Sequence, residues 1–372
     1  MLSLATVLRA RASQRTRACI SCACLCGSIL IGPRFLSGAT WDGGGTDNNW
    51  TTAANWVGDV APVSGTPGLS IAFGGGTRLT PSQNLSNPFV LQSLIFDSST
   101  SGTFSLSGSP LKFDGQGAVP EIRNDSLTAA FISNAIQLTS DTVIQTAPAG
   151  FLSLTGAISG VGGLTIRGDS PVDFSGNAAN TYTGTTTVEG GTLSLHRGDG
   201  TNAIPGNLVV SGGRVNVSDY DQIPDTATVV VDGGTLDFSN TNEAISGITM
   251  KRGTVYVSNG MLTLLGNVTV PSATGQSQIS GKLNLGGAVR TFNVDDGVSS
   301  QDMLVSGVVS NGGLLKQGAG TLVLSGVNTY AGGTTVSAGT LQGTTNGLMG
   351  EIVNNATIVF DQNFDGTVCR HN

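Results

Sequence analysis

The chain has 372 residues, of which 55 are glycine and only 11% are charged. Glycine averages about 7% of protein sequences, so the chain carries about twice the usual density of residues suited to tight turns, without the Gly-X-Y period of collagen. Its hydrophobic content of 38% is too high for a disordered linker. The composition therefore predicts a folded all-β chain with many turns.

Residues 1–39 form a segment of their own, because no Asp or Glu precedes Asp42 and four arginines lie within the first 17 residues. An apolar run follows from Ala18 to Gly32, and the small residues 37–39 come next. This order is typical of a secretory signal peptide, and the run is short for a membrane span. We expect a mature chain that starts near Thr40 outside the cytoplasm, with a misassigned start codon as the alternative.

Cysteine usage and charge are consistent with export. Four of the five cysteines lie in the predicted signal peptide, so only Cys369 remains and no disulfide within the mature chain is possible. A zinc site at that cluster would require the segment to be retained. Loss of the five arginines of this segment leaves 12 Lys and Arg against 24 Asp and Glu, a net charge of −12. Nucleic acid and anionic lipid are therefore poor partners.

Residues 40–150 are predicted to form an irregular β-rich region and cap. All three tryptophans, Trp41, Trp50 and Trp56, lie within 16 residues there. Aromatic faces can stack on sugars, which makes a glycan site conceivable. The end of a stacked β structure must also be sealed from water, and capping is the hypothesis that we favour.

Two segments of the chain repeat each other, one from Gly163 to Leu193 and the other from Gly313 to Leu341. Both contain a Ser-Gly pair, an Asn-Thr-Tyr triplet and a Thr-Thr-Val triplet, and the first copy has two additional residues. Beneath them lies a shorter period, because strand-like segments that start at Gly191, Gly213, Gly234 and Gly253 are 22, 21 and 19 residues apart. Apolar residues alternate in each of these segments, as in a half-buried strand.

A period near 20 residues fits one coil of a parallel β-helix, whereas propeller blades need about 40 residues. A β-sandwich with regular hairpins is the competing fold, but it does not explain why the glycines recur at one coil length. Residues 151–368 are therefore predicted to form a β-solenoid with Val, Leu and Phe inside. Residues 369–372 are predicted to be an off-pattern tail.

The segment GAGTLVLSGVNTYAGGTTVSAGTL, from Gly318 to Leu341, resembles the autotransporter-associated β-strand repeat of Gram-negative surface proteins. Trp41–Pro62 and Asn284–Gly318 are similar to the start and the lead-in of such chains. The resemblance implies a right-handed β-helix passenger, carried outward by an outer-membrane barrel and acting as an adhesin or stalk. We see no barrel pattern after Leu341. We therefore expect a truncated product that self-associates through its terminal coil and Cys369.

No convergent acid, base and nucleophile is evident, so no catalytic, cofactor or metal site is predicted. His196 is expected in an exposed turn with Arg197-Gly198-Asp199, which spells an RGD tripeptide. Gly168-Asp169-Ser170-Pro171 lacks the flanking glycine of passenger serine proteases, and we expect a turn. Three acidic segments have partial calcium-loop character but are expected to be ordinary turns: Asp42 to Asp47, Asp295 to Gly297 and Asp361 to Gly366.

These observations predict a non-catalytic exported surface protein, a structural stalk or adhesin-like passenger. Its expected partners are cell-surface or extracellular glycans or proteins. The alternative is a secreted polysaccharide-active or polysaccharide-binding β-helix protein. A charged groove on one face would favour that alternative, and the scarcity of charged residues argues against it.

Overall fold

A computed structural model describes residues 38–238 and 240–362 of the chain. The expectations for the signal segment, the cysteine cluster, the end of the Asp361 loop, Cys369 and the tail concern residues outside this part. The described residues form 35 strands, numbered β1 to β35 in chain order, and one 3₁₀ helix at Ala53–Asn55. The strands of each sheet pair in parallel. The predicted all-β parallel solenoid is therefore confirmed.

The first sheet contains 15 strands stacked in chain order. Its strands are β1 (Gly38–Trp41), β2 (Ser70–Phe73), β5 (Ser93–Phe96), β8 (Glu121–Asn124), β11 (Thr142–Thr146), β14 (Leu164–Gly168), β16 (Thr186–Val188), β18 (Leu208–Val210), β20 (Thr228–Asp232), β23 (Gly247–Lys251), β25 (Val268–Val270), β27 (Val289–Val294), β30 (Gly313–Gln317), β32 (Thr334–Val336) and β34 (Ile352–Asn354).

The second sheet contains 16 strands. They are β3 (Ser82–Gln83), β6 (Phe104–Gly108), β9 (Ala129–Ile132), β12 (Phe151–Leu154), β15 (Pro171–Ser175), β17 (Thr192–His196), β19 (Arg214–Val217), β21 (Thr235–Asp237), β22 (Asn242–Ile245), β24 (Thr254–Leu264), β26 (Ser277–Asn284), β28 (Met303–Val305), β29 (Val309–Ser310), β31 (Thr321–Leu324), β33 (Thr340–Gly343) and β35 (Thr357–Phe360). A third sheet contains β4 (Phe89–Leu91), β7 (Leu111–Phe113), β10 (Ile136–Leu138) and β13 (Ile158–Gly160).

The core is a set of apolar rows that run from coil to coil. In the first sheet Ile122 pairs with Ile144, Ile144 with Ile166 and Ile166 with Val188, and all four side chains are fully buried. Parallel pairing in register places residues of equal position over one another about 4.8 Å apart. Full burial of each such side chain contributes about 1.5–3 kcal/mol. The alternation of apolar residues predicted from the sequence is the direct cause of these rows.

The solenoid extends on both sides of residue 150. The first sheet continues without interruption from β8 through β11 to β14, so the residues that we expected to be irregular also form stacked coils. The third sheet ends at Gly160, and this change of coil shape lies close to the predicted boundary. Coil length explains the difference, because Ser93 and its partner Glu121 are 28 residues apart. The regular glycine period was therefore hidden there.

The described fold begins before the predicted mature start. Gly38 and Ala39 belong to β1 and pair in register with Ser70 and Ile71. Removal of residues 1–39 would take away half of the first strand. The structure is therefore better matched by a mature chain that starts at or before Gly38.

Candidate functional site

The three tryptophans lie at the N-terminal end of the solenoid, on and just after β1. Their exposed fractions are only 1%, 0% and 1% for Trp41, Trp50 and Trp56. Trp56 makes edge-to-face contacts with Trp41 and Trp50, with ring centroids 5.3 and 5.5 Å apart, and Trp50 contacts Phe89 in the same way. This packing covers the first coil with aromatic rings. It leaves no tryptophan face accessible for stacking on a sugar.

The acidic loop beside these rings is held by its own hydrogen bonds. Asp47 Oδ1 accepts from the Thr52 hydroxyl at 2.7 Å and from the Asn49 backbone N–H at 3.0 Å. The hydrogen bond from Thr52 is the main reason why the pKa of Asp47 is lowered. Asp42 accepts from the Gly44 N–H at 3.0 Å. Both carboxylates therefore have the hydrogen bonds of ordinary turns.

The other acidic candidates also lie in turns between strands. Asp169 is exposed between β14 and β15. Asp295 and Asp296 are exposed, and the nearby Asp302 accepts the Gly297 N–H at 2.8 Å. Asp361 accepts from the Gln342 side chain at 2.9 Å. Within residues 38–238 and 240–362, no group of three or more His, Cys, Asp or Glu side chains is arranged to hold a metal ion.

Arg197 contradicts the expected exposed RGD turn. His196 and Asp199 are exposed, but Arg197 between them is fully buried. Its guanidinium donates to the Ala178 and Gly156 carbonyls at 2.8 Å, and to the Leu154 carbonyl at 3.2 Å. Burial lowers the pKa of Arg197 to about 10. An integrin-type RGD requires an accessible guanidinium, and here this group instead joins its own coil to two earlier coils.

Arg197 is the first of three buried polar residues at one corner of successive coils. Its backbone N–H donates to Gln222 Oε1 at 2.9 Å, and the Gln222 N–H donates to Glu243 Oε2 at 3.1 Å. Glu243 Oε1 accepts the Ile223 N–H at 3.0 Å. Burial raises the pKa of Glu243 to about 8, against the opposing effect of these two N–H groups. At this corner, side chains of the next coil satisfy backbone donors that no strand pairs.

Lys316 is a further buried charge that our sequence analysis did not identify. It occupies an inward position of β30 between Phe292 and Val336, and it is fully buried. Its ammonium group donates to the carbonyls of Gln317, Gly318 and Ala338 at 2.8, 2.7 and 3.2 Å. Burial lowers the pKa of Lys316 to about 8. In the first repeat the aligned residue is Ile166, so the alignment of the two copies already indicated an inward position.

The Asn-Thr-Tyr triplet of each repeat forms a bridge across three coils. Asn180 accepts the Ile158 N–H of the coil before at 2.8 Å and donates to the Ala203 carbonyl of the coil after at 2.7 Å. In the second copy, Asn328 accepts the Val309 N–H at 2.8 Å and donates to the Gly347 carbonyl at 2.6 Å. We refer to Asn180 and Asn328 with these contacts as the asparagine bridges.

The tyrosine of each triplet closes the same turn from inside. The Tyr182 hydroxyl lies 2.6 Å from the Thr186 hydroxyl, and the Tyr330 hydroxyl lies 2.8 Å from the Thr334 hydroxyl. Both tyrosines are 1% exposed, and burial raises both of their pKa values. The shared residues of the two copies therefore serve the stacking of coils, and none of them forms a reactive centre.

Comparison with known proteins identifies this pattern. The passenger-associated-transport-repeat family matches residues 174–195 and 314–342, which include both asparagine bridges. The chain contains autotransporter passenger repeats. It is also 28% identical over 310 residues, 78% of its length, to the Adhesin BmaC autotransporter of Brucella suis biovar 1 (strain 1330). The chain spans 8% of the length of that adhesin.

No solved structure matches the chain. Within the part of the chain that the structure describes, no helix has the length and apolar character of a membrane span. The passenger repeats lie on β15 to β17 and on β30 to β33, so each match covers strands of both long sheets together with the corner between them. The predicted relationship to autotransporter passengers is thereby confirmed.

Proposed function

We propose that the chain is a passenger of a Gram-negative surface adhesin, a non-catalytic solenoid that is exported and presents its outer faces to other cells. The passenger repeats carry this proposal, because their shared residues build a stack of coils. The relationship to an autotransporter adhesin supports the same role. A stacked parallel solenoid offers long continuous faces for contact.

The buried ionisable groups support the non-catalytic part of the proposal. Perturbed pKa values are frequent at catalytic sites. In this chain Arg197, Glu243 and Lys316 bind backbone groups inside the coils, at separate corners or faces, and none of them faces a cleft with a nucleophile. A screen with pectins, glycans and peptides as substrates should therefore show no turnover. Turnover that is lost on substitution of Asp169 or Asp295 by alanine would contradict this conclusion.

Adhesion itself can be tested with the purified full chain. Beads coated with the chain should bind epithelial monolayers above the level of beads coated with serum albumin. Beads coated with the heat-unfolded chain are the matched control, since they carry the same sequence without the solenoid faces. Binding equal to that of albumin would refute the adhesive role.

Export can be tested separately, by expression of the full gene in a Gram-negative host. The product should be found outside the cytoplasm, and N-terminal sequencing should give a first residue at or before Gly38, since that residue starts β1. Recovery of the intact residue 1 from the cytoplasm alone would show that the N-terminal segment is not a signal peptide.

A further inference from the structure

A small cleft lies at one corner of three successive coils, where β15, β17 and β19 end. It has a volume of about 340 Å³, at the lower end of the roughly 300–1,000 Å³ found for ligand sites. Its side chains are polar, and two glycines form the rest of its wall. The lining residues are Ser175, Gly176, Asn177, His196, Gly198, Asp199 and Asp219. We refer to this feature as the corner cleft.

The corner cleft is held in shape by hydrogen bonds between coils. Asp219 Oδ2 accepts the Gly198 N–H at 2.8 Å and lies 3.7 Å from His196 Nε2. Asp199 Oδ1 accepts the Tyr220 N–H at 3.0 Å. Tyr220 is 42% exposed directly after Asp219. The carboxylates are thus positioned by the backbone and still have oxygen lone pairs available for a ligand.

The two passenger repeats differ where the corner cleft lies. After its Ser-Gly pair the first copy has three residues, 177–179, before Asn180, whereas the second copy has only Val327 before Asn328. The longer loop carries Asn177 of the cleft. It is tied down by the buried Arg197, which donates to the Ala178 carbonyl at 2.8 Å. The coils therefore stack in the same way in both copies, and only the first copy gains an exposed amide and a cleft.

The chemistry of the lining indicates what the cleft would bind. Asp199 and Asp219 accept hydrogen bonds, the Ser175 hydroxyl and the Asn177 amide both donate and accept, and His196 adds an imidazole. Such a mixture matches a ring that carries several hydroxyl groups. Two carboxylates, with no Lys or Arg in the lining, disfavour an anionic ligand. The small volume suits one ring.

We propose that the corner cleft binds one neutral hexose unit of a glycan. The inference rests on the proposed adhesive function, and it specifies both the class of ligand and the place where it binds. Asn177 and Asp199 supply contacts from adjacent coils. Asp219 closes the cleft from the third coil.

Saturation-transfer NMR on the full chain tests the proposal with methyl glycosides of glucose, galactose, mannose and N-acetylglucosamine, and with glucuronate as the anionic probe. At least one neutral glycoside should bind, more tightly than glucuronate. Asn177→Ala and Asp199→Ala should each weaken this binding at least tenfold. The control variant is Ser325→Ala, because Ser325 aligns with Ser175 in the copy without a cleft, and it should bind like the wild type. Thermal unfolding of each variant verifies that the solenoid remains folded.

Three results would overturn the proposal: no binding of any neutral glycoside, a preference for glucuronate, or equal binding by the wild type and both cleft variants. The adhesive function is measured independently on the coated beads. If the beads adhere while the cleft variants lose nothing in either assay, the solenoid is an adhesin that uses another surface. If the cleft binds a sugar and the beads do not adhere, the sugar site stands and the adhesive role fails.

Discussion

Asn180 and Asn328 make the same two hydrogen bonds in coils that are far apart in the solenoid. Each side chain is 2% exposed, and each amide accepts a backbone N–H from the coil before it and donates to a backbone carbonyl of the coil after it. The repeat motif is therefore best understood as a device for stacking coils. This explains how a family defined by it can serve adhesins with different surfaces.

Substitution of either asparagine by alanine should destabilise the solenoid by about 2–4 kcal/mol, because two buried backbone groups lose their partners. The losses from Asn180→Ala and Asn328→Ala should add in the double variant, since the sites share no contacts. Urea unfolding measures the effect. The control is Asn177→Ala, an exposed amide three residues from Asn180, which should change stability by no more than about 0.5 kcal/mol. Equal effects at positions 177 and 180 would show that the bridge contributes nothing.

Arg197→Met should cost a similar amount, about 2–4 kcal/mol, because three buried carbonyls lose their donor while the apolar stem is kept. The control is His196→Ala, since His196 is the exposed neighbour on the same strand end. Soluble RGD peptide should not compete with the coated beads for cells. Competition by that peptide, together with a stable Arg197→Met variant, would restore the recognition role that the burial of Arg197 argues against.

Much of the fold follows from local pattern, and the buried charges do not. Leu193 and Leu195 alternate after Gly191 as an inward-facing strand should, and the structure places both in the core. Arg197 has the sequence context of an exposed turn. Its burial depends on carbonyls of residues 19 to 43 positions earlier in the chain, which no local pattern reports. The corner cleft likewise needs three coils to be in register before its residues meet.

Gly307→Ala should be among the most damaging single-methyl changes in the chain. A Cβ atom at Gly307 would lie 1.7 Å from the Gly281 carbonyl oxygen of the coil before it. The coils would have to separate, so we expect a loss at or above the upper end of the about 1–3 kcal/mol typical of overpacking. The matched control is Gly206→Ala, where the nearest atom would be 3.6 Å away. Comparable stability of the two variants in urea would show that the close approach at Gly307 is easily relieved.

Glu243 predicts a specific dependence of stability on pH. Burial raises its pKa from 4.5 to about 8 in the folded chain, so the folded state binds a proton between these pH values that the unfolded state has lost. The contribution of Glu243 to the free energy of unfolding is therefore fully present below about pH 4.5, and it decreases by about 1.4 kcal/mol per pH unit as the pH rises toward about 8.

Urea unfolding of the wild type and of Glu243→Gln between pH 5 and pH 8 measures this term, because glutamine does not titrate. The wild type should lose stability relative to the variant as the pH rises. The control is Glu189→Gln, which removes a solvent-exposed carboxylate paired with Arg167 and should leave the slope of the wild type almost unchanged. Parallel pH profiles for the wild type and Glu243→Gln would mean that the two N–H donors of Gln222 and Ile223 keep the carboxylate ionised throughout this range.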